Sequence, residues 1–258
     1  MLTTGNTILI TGGTSGIGRG LAEAFHQLGN QVIVAGRRRD LLDAVTAANP
    51  GMRSTVLDVQ DLPRLDLFAQ NIVRNHPSLN VVINNAGIMK PEKLGEDVGF
   101  STPEAIVTTN LLAPLRLTAA LLPHLKQRPR AAVMNVSSGL AFVPMALTPT
   151  YCATKAAIHS WTQSLRWQLR DTPVEVLELI PPYVQTELMG QRQKQDPRAM
   201  PLAGFIAEVM QILGTQPDAK EICVQRVEPL RYAGGLDPVK YDETFQGLNA
   251  GFGANHDQ

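Results

Sequence analysis

The chain has little of several things. Its 258 residues include two cysteines, Cys152 and Cys223, far apart in the sequence. That is neither a disulfide framework nor a paired metal motif. His26, His76, His124, His159 and His256 form no HxxxH or HExxH pair, so no protein metal site is expected. An excess of charge of one sign is also missing, because 23 basic and 23 acidic side chains cancel. No basic footprint exists for nucleic acid or for an anionic membrane surface. A small anionic ligand stays open, since it needs only a few local cations. The greasiest stretch, 111–125, is too short to span a bilayer and is interrupted by Pro114, Arg116 and Pro123. The opening MLTTGNTILITGG lacks the basic-then-apolar pattern of a secretory signal. The expectation is a cytoplasmic protein without a nucleic-acid or membrane partner.

What is present is a hydrophobic fraction of 44%, enough for a packed core. Short β-branched runs alternate with longer helical segments. Strands are expected at 8–11, 32–35, 54–59, 81–84, 131–138 and 174–180, and helices at 17–28, 39–48, 61–75, 102–126 and 151–170. Nearly all-apolar strands alternating with helices predict an α/β fold, a doubly wound parallel sheet in a single Rossmann-like domain over 1–258. Beyond residue 186 the pattern weakens. A helix over 200–213 and a last strand over 221–227 are expected, with a frayed tail after Phe245.

The first strand runs into Thr11-Gly12-Gly13-Thr14-Ser15-Gly16-Ile17-Gly18 and then a helix. Such a turn aims helix N–H groups at an anion, and glycine lets the backbone approach it. The spacing is GxxxGxG, so the common GxGxxG dinucleotide pattern does not apply. After the second strand comes Gly36-Arg37-Arg38-Arg39 where many dinucleotide sites hold an acid. Guanidinium groups grip a phosphate bidentately, which favours NADP(H) over NAD(H).

Tyr151 and Lys155 lie one helical turn apart at the start of a helix. An ammonium about 4–5 Å from a phenolate, at an effective dielectric of about 20, attracts it by roughly 3–4 kcal/mol. The expectation is a phenol pKa lowered by about two units, suited to proton transfer. Ser138, at the end of the fifth strand, is placed to polarise a substrate oxygen. No GxSxG elbow surrounds it, which disfavours a hydrolase nucleophile.

Together these residues resemble the short-chain dehydrogenase/reductase family, in its short single-domain branch, over about 6–190. TGGTSGIG is similar to the family's TGxxxGxG, Asn84-Asn85-Ala86-Gly87 to its NNAG, and Tyr151 to Lys155 to its YxxxK. Ser138 precedes Tyr151 at the family's usual interval. The stretch SLRWQLRDTPVEVLELIPPYVQTEL most resembles a DltE-like subgroup. The resemblance implies a catalytic set of Asn110, Ser138, Tyr151 and Lys155. Tyr151 would exchange the proton and Ser138 bind the substrate oxygen. Lys155 would hold the nicotinamide ribose and lower the phenol pKa, while Asn110 would hold a water in the proton relay. For the cofactor it implies contacts from Gly12, Thr14, Ser15, Gly16, Ile17 and Gly18 in the turn. Arg37, Arg38, Asp58 and Val59 would lie on the adenosine side. Asn85, Ala86, Gly87, Lys155, Pro181, Val184 and Thr186 would complete the cradle. Pro182 stands where the family usually has glycine, and it stiffens that loop.

The implied activity is an NADPH-dependent carbonyl reductase or alcohol dehydrogenase on a small-molecule carbonyl or alcohol. Reduction of an imine or enoyl bond is the same-class alternative, and a non-catalytic NADP(H) sensor or scaffold the other. The apolar stretch 140–149 and a segment over 187–215 should flank the substrate, and a hydrophobic ketone or aldehyde fits an apolar wall. Equally, the 140–149 side chains would serve by packing the loop on the sheet. A homodimer or homotetramer through helices 102–126 and 151–170 is implied, with Ala153, Ala156, Ala157 and Ser160 permitting close approach. His159, Trp161 and Trp167 read as helix-face, core or interface residues.

Overall fold

A computed structural model describes residues 1–93, 100–235 and 237–253. In its first half β1 (Thr7–Thr11), β2 (Gln31–Gly36), β3 (Arg53–Val56) and β4 (Val81–Asn84) alternate with α1 (Gly16–Gln27), α2 (Arg39–Ala48) and α3 (Leu65–Asn75). Next, α4 (Ser101–Val107) runs through a π turn (Thr108–Leu112) into α5 (Ala113–Leu125). Then come β5 (Ala131–Val136), α6 (Pro149–Gln168) and β6 (Val174–Ile180). The rest is α7 (Gln191–Gln195), α8 (Leu202–Thr215), β7 (Glu221–Cys223), α9 (Glu228–Arg231) and α10 (Pro238–Gly253).

The seven strands form one sheet in the order β3-β2-β1-β4-β5-β6-β7, and every neighbouring pair is parallel. This is the expected doubly wound fold. Period-2 alternation explains why the strands are apolar throughout. Ile8, Ile10, Val32 and Val34 point to one face and pack under α1, α2 and α8 through Leu21, Phe25, Leu42 and Phe205. Leu9, Ile33, Val82 and Val133 point to the other and pack under α3, α5 and α6 through Leu65, Leu117, Leu121 and Leu165. The strand order reverses between β1 and β4, so a crevice opens beyond their carboxyl ends. The helical run Ser101–Leu125 is long and apolar enough to cross a membrane by length and composition. Its Ala113, Leu117, Leu121 and Leu125 are buried in the core instead.

Several boundaries differ from expectation. The third strand stops at Val56, because β3 is a sheet edge whose side chains are largely exposed. The fifth ends at Val136, where the chain turns toward a short 3-10 helix capped by Ser138. The last ends at Cys223 and passes into a 3-10 turn at Gln225–Val227. The expected long helix over 102–126 is interrupted by the π turn that carries Asn110.

The larger correction concerns the tail. In place of fraying after Phe245, α10 continues to Gly253. Leu248 and Phe252, one turn apart, pack against a buried cluster that includes Met89, Met145 and Tyr151. Asn249 accepts a hydrogen bond from the Ala146 N–H and donates to the Pro144 carbonyl. Residues 254–258, the end of the expected frayed tail, and His256 with them, lie outside the described residues.

Candidate active site

The crevice holds a cleft of about 500 Å³, within the usual range for ligand sites. Six strand ends, those of β1 to β6, build it. At the end of β1, Gly12 and Gly16 take positive φ angles of +66° and +52°, which turn the chain into α1. Ser15 is the N-cap of α1, yet its hydroxyl makes no cap bond to that helix. Ser15, Gly16 and Ile17 line the cleft, so this hydroxyl and the first N–H groups of α1, which have no intrahelical acceptor, are available there as donors for an anion. Gly18 faces the other way. A Cβ there would stand 2.3 Å from Asn85 Nδ2 and 2.4 Å from the Gly12 oxygen. Its part is close packing behind the turn, and it does not line the cleft.

At the end of β2, Arg37 and Arg38 are exposed on the cleft wall. Arg38 is the N-cap of α2, and Asp40 supplies the acid of the first turn. Arg38 also helps to hold the Glu187 carboxyl below its usual range, after the larger effects of Lys194 and Gln191. Asp58 and Val59 line the cleft from the loop beyond β3, where Asp58 accepts a bond from the Gln60 N–H at 3.0 Å. At the end of β4, Asn85 donates to the Thr11 and Gly12 carbonyls at 3.0 and 3.2 Å. That bond locks Asn85, Ala86 and Gly87 against the glycine turn.

Asn110 is carried by the π turn between α4 and α5. It is buried, and its amide is spent on the backbone of Ile88, accepting from N–H and donating to C=O at 2.9 Å each. A third contact reaches Thr154 Oγ1 at 3.3 Å. It braces the β4 loop against α6 and lies outside the lining of the cleft.

Ser138, Tyr151 and Lys155 come together at the inner end, all buried. Ser138 accepts from the Leu140 N–H at 3.1 Å, and its hydroxyl lies near enough to the Tyr151 phenol to lower the phenol pKa. Lys155 Nζ donates to the Val136 carbonyl at 2.7 Å and stands 5.5 Å from the centre of the Tyr151 ring. The electrostatic expectation for Tyr151 is reversed here. Burial pushes the phenol pKa up, against a smaller lowering from the neighbouring Ser138 hydroxyl. The reason is mutual: the same burial pushes Lys155 down to about 8, partly offset by the Glu178 carboxylate.

Pro181, Pro182, Val184 and Thr186 follow β6 along the cleft. Thr186 lies against Gly16, whose added Cβ would meet its Cγ2 at 3.3 Å. Gln193 of α7, which sequence reasoning missed, organises this loop. It donates to the Val184 carbonyl at 2.8 Å and to Thr186 Oγ1 at 3.0 Å, and accepts from the Met189 N–H at 2.9 Å. Within 187–215, the part at the site is Glu187, Leu188, Met189 and Gln193; Phe205, Val209 and Leu213 of α8 belong to the core.

A second cavity of about 80 Å³ adjoins the first and is almost wholly apolar. Met89, Leu140, Met145, Met189, Leu248 and Phe252 line it, and it shares Ser138 and Tyr151 with the larger cleft. Leu248 and Phe252 come from α10 and were invisible in a tail rich in glycine and asparagine. Among the described residues His159, Glu178 and Glu221 bring ligand atoms within 4.8 Å of one another. Glu178 accepts from His159 at 2.8 Å and Arg231 grips Glu221 at 2.7 and 3.0 Å, so both carboxylates already have partners.

The family description "short chain dehydrogenase" matches residues 6–197. The chain belongs to the short-chain dehydrogenase family. It is 41% identical to an uncharacterised oxidoreductase, DltE, of Bacillus subtilis, covering 96% of this chain and 98% of that one. An NADP-dependent 3-hydroxy acid dehydrogenase of Schizosaccharomyces pombe is 29% identical, covering 74% and 78%. Among solved structures, a short-chain dehydrogenase from Streptomyces avermitilis superposes with a TM-score of 0.80 at 27% identity, covering 96% and 99%.

Proposed function

We propose that this short-chain dehydrogenase is an NADPH-dependent carbonyl reductase or alcohol dehydrogenase acting on a hydrophobic ketone or aldehyde. One observation carries the reading: Ser138 and Tyr151 form the wall common to the nucleotide-sized cleft and the small apolar cavity. A carbonyl group at that wall has its apolar substituent in the cavity and its oxygen beside two hydroxyls. The donor set of the cleft fits a dinucleotide, with helix N–H groups and Ser15 for a pyrophosphate and Arg37 and Arg38 for a 2′-phosphate. The NADP-dependence of the yeast relative agrees with that preference.

When bound, the reduced nicotinamide supplies a hydride to the carbonyl carbon. Tyr151 gives its phenol proton to the oxygen, and Ser138 donates a hydrogen bond to the same atom. A phenol held protonated by burial is in the right state for reduction. Lys155 keeps a positive charge beside the ring and, from the Val136 carbonyl, reaches into the cleft where a ribose would lie. Asn110 fixes the backbone of Ile88, next to the cofactor side at Gly87 and the substrate side at Met89.

The outward faces of the helical run Ser101–Leu125 and of α6, with Leu112 and Trp167 exposed, are the surfaces proposed for a homodimer or homotetramer. The free thiols Cys152 and Cys223 fit a reducing, cytoplasmic compartment. Steady-state turnover of NADPH over a panel of carbonyl compounds tests the activity. Preference for alkyl and aryl ketones over sugar ketones is expected, and equal turnover of a sugar ketone and acetophenone defeats the pocket argument. No turnover, with NADPH bound, favours the sensor.

A further inference from the structure

We propose that Glu92 is a positioning residue for Tyr151, acting as a remote cap on the first turn of α6. The inference rests on the reading of Tyr151 as the proton donor. The helix that carries Tyr151 and Lys155 starts without a cap of its own. Its N-cap residue, Thr148, makes no side-chain cap bond, and its first turn holds no acidic residue. Pro149 removes one orphan N–H, but that of Thr150 still needs an acceptor.

Glu92 supplies it from the loop after β4, far away in sequence. Oε1 accepts from the Thr150 N–H at 3.1 Å, and Oε2 from the Thr150 hydroxyl at 2.6 Å. The Glu92 N–H donates to the Leu147 carbonyl at 2.9 Å, so one residue grips the chain on both sides of the helix start. The side chain is buried, where a carboxylate is costly unless compensated. The positive end of α6 is that compensation. A glutamate placed here only for solubility would be in water.

The consequence for catalysis is geometric. Tyr151 is the residue after Thr150, so the clamp fixes the turn from which the phenol projects. The same short segment carries Met89, a wall of the apolar cavity, and Ile88, held by Asn110 at 2.9 Å. Glu92 and Asn110 thus tie the substrate wall and the proton donor into one body. A misplacement of about 1 Å at a reacting group costs up to roughly a hundredfold in rate.

The test compares Glu92→Ala, Glu92→Gln and Thr150→Val by kcat, KM for a hydrophobic ketone, NADPH dissociation constant and amide exchange at Thr150 and Tyr151. Gln keeps both bonds, its oxygen accepting from the N–H and its amide donating to the Thr150 hydroxyl oxygen. Glu92→Ala should lose about ten- to a hundredfold in kcat, with KM and the NADPH constant within about twofold. Glu92→Gln should stay within about threefold of wild type. Wild-type kcat in Glu92→Ala overturns the proposal, as does equal loss in the Ala and Gln variants. Should Glu92→Ala fail to fold, Thr150→Val decides: a severalfold fall in kcat at constant KM supports the clamp, and unchanged kcat refutes it. If the wild-type protein reduces no carbonyl compound, the functional reading falls by itself. Amide exchange then still judges the clamp, with about tenfold faster exchange in the Ala variant expected and equal rates overturning it.

Discussion

Lys155→Met replaces an ammonium held in an apolar setting by an apolar chain of similar length. Burial takes the Lys155 pKa from 10.5 down to about 8. At about 1.36 kcal/mol per unit, the charged form in the folded protein costs roughly 3 kcal/mol relative to the unfolded chain. Against this, the variant leaves the Val136 carbonyl without its donor, worth about 1–3 kcal/mol. Near pH 7 the ligand-free variant should therefore match or exceed wild type, by up to about 2 kcal/mol, or several degrees in Tm. The sign with pH follows from linkage. Between about 8 and 10.5 the unfolded chain holds the lysine proton that the folded protein has lost, so wild-type stability rises across that window. The advantage of the variant shrinks there and inverts above it, because the lost hydrogen bond remains. Urea unfolding of both proteins at a series of pH values measures the difference, in which other titrating groups cancel. A difference that does not move between pH 7 and the top of that window refutes the assignment of a strained ammonium. The variant should be inactive at every pH, a stability gained where function needs strain.

Arg37→Asp should weaken NADPH by about tenfold or more and leave NADH within about threefold, because only one of them carries a 2′-phosphate. Equal loss of both in cofactor-dependence assays contradicts the role. Phe252→Ala should raise KM for an aryl ketone by about 10- to 200-fold with kcat largely retained, the span expected for removing an apolar wall. Unchanged KM in steady-state assays would place α10 outside the substrate site.

Much of the architecture was legible because the strands are buried on both faces. Ile8 to Thr11 and Val81 to Asn84 are read from apolar runs with no competing helical period. The residues of the cleft were legible for a second reason, that they come at strand ends marked by glycine, arginine or serine. Chemistry that depends on packing was not. Nothing local distinguishes Asn110 facing a cleft from Asn110 bonded to the Ile88 backbone. Gly18 looks like the other turn glycines until its distance to Asn85 is known. The phenol pKa went wrong because a sequence shows the neighbouring ammonium but not the burial that outweighs it. The tail went wrong because Leu248 and Phe252 gain their meaning from Met89 and Met145, far away in the chain. Gln193 and Glu92 carry no motif at all; only their buried hydrogen bonds reveal them.

The central claim is that the Tyr151 phenol delivers the proton at the wall shared by the two cavities. Tyr151→Phe removes that one hydroxyl and keeps the ring. Measured side by side for NADPH binding and for turnover of a hydrophobic ketone, the variant should bind the dinucleotide as wild type does and lose about a hundredfold or more in kcat. Full turnover in a variant that binds NADPH normally contradicts the account.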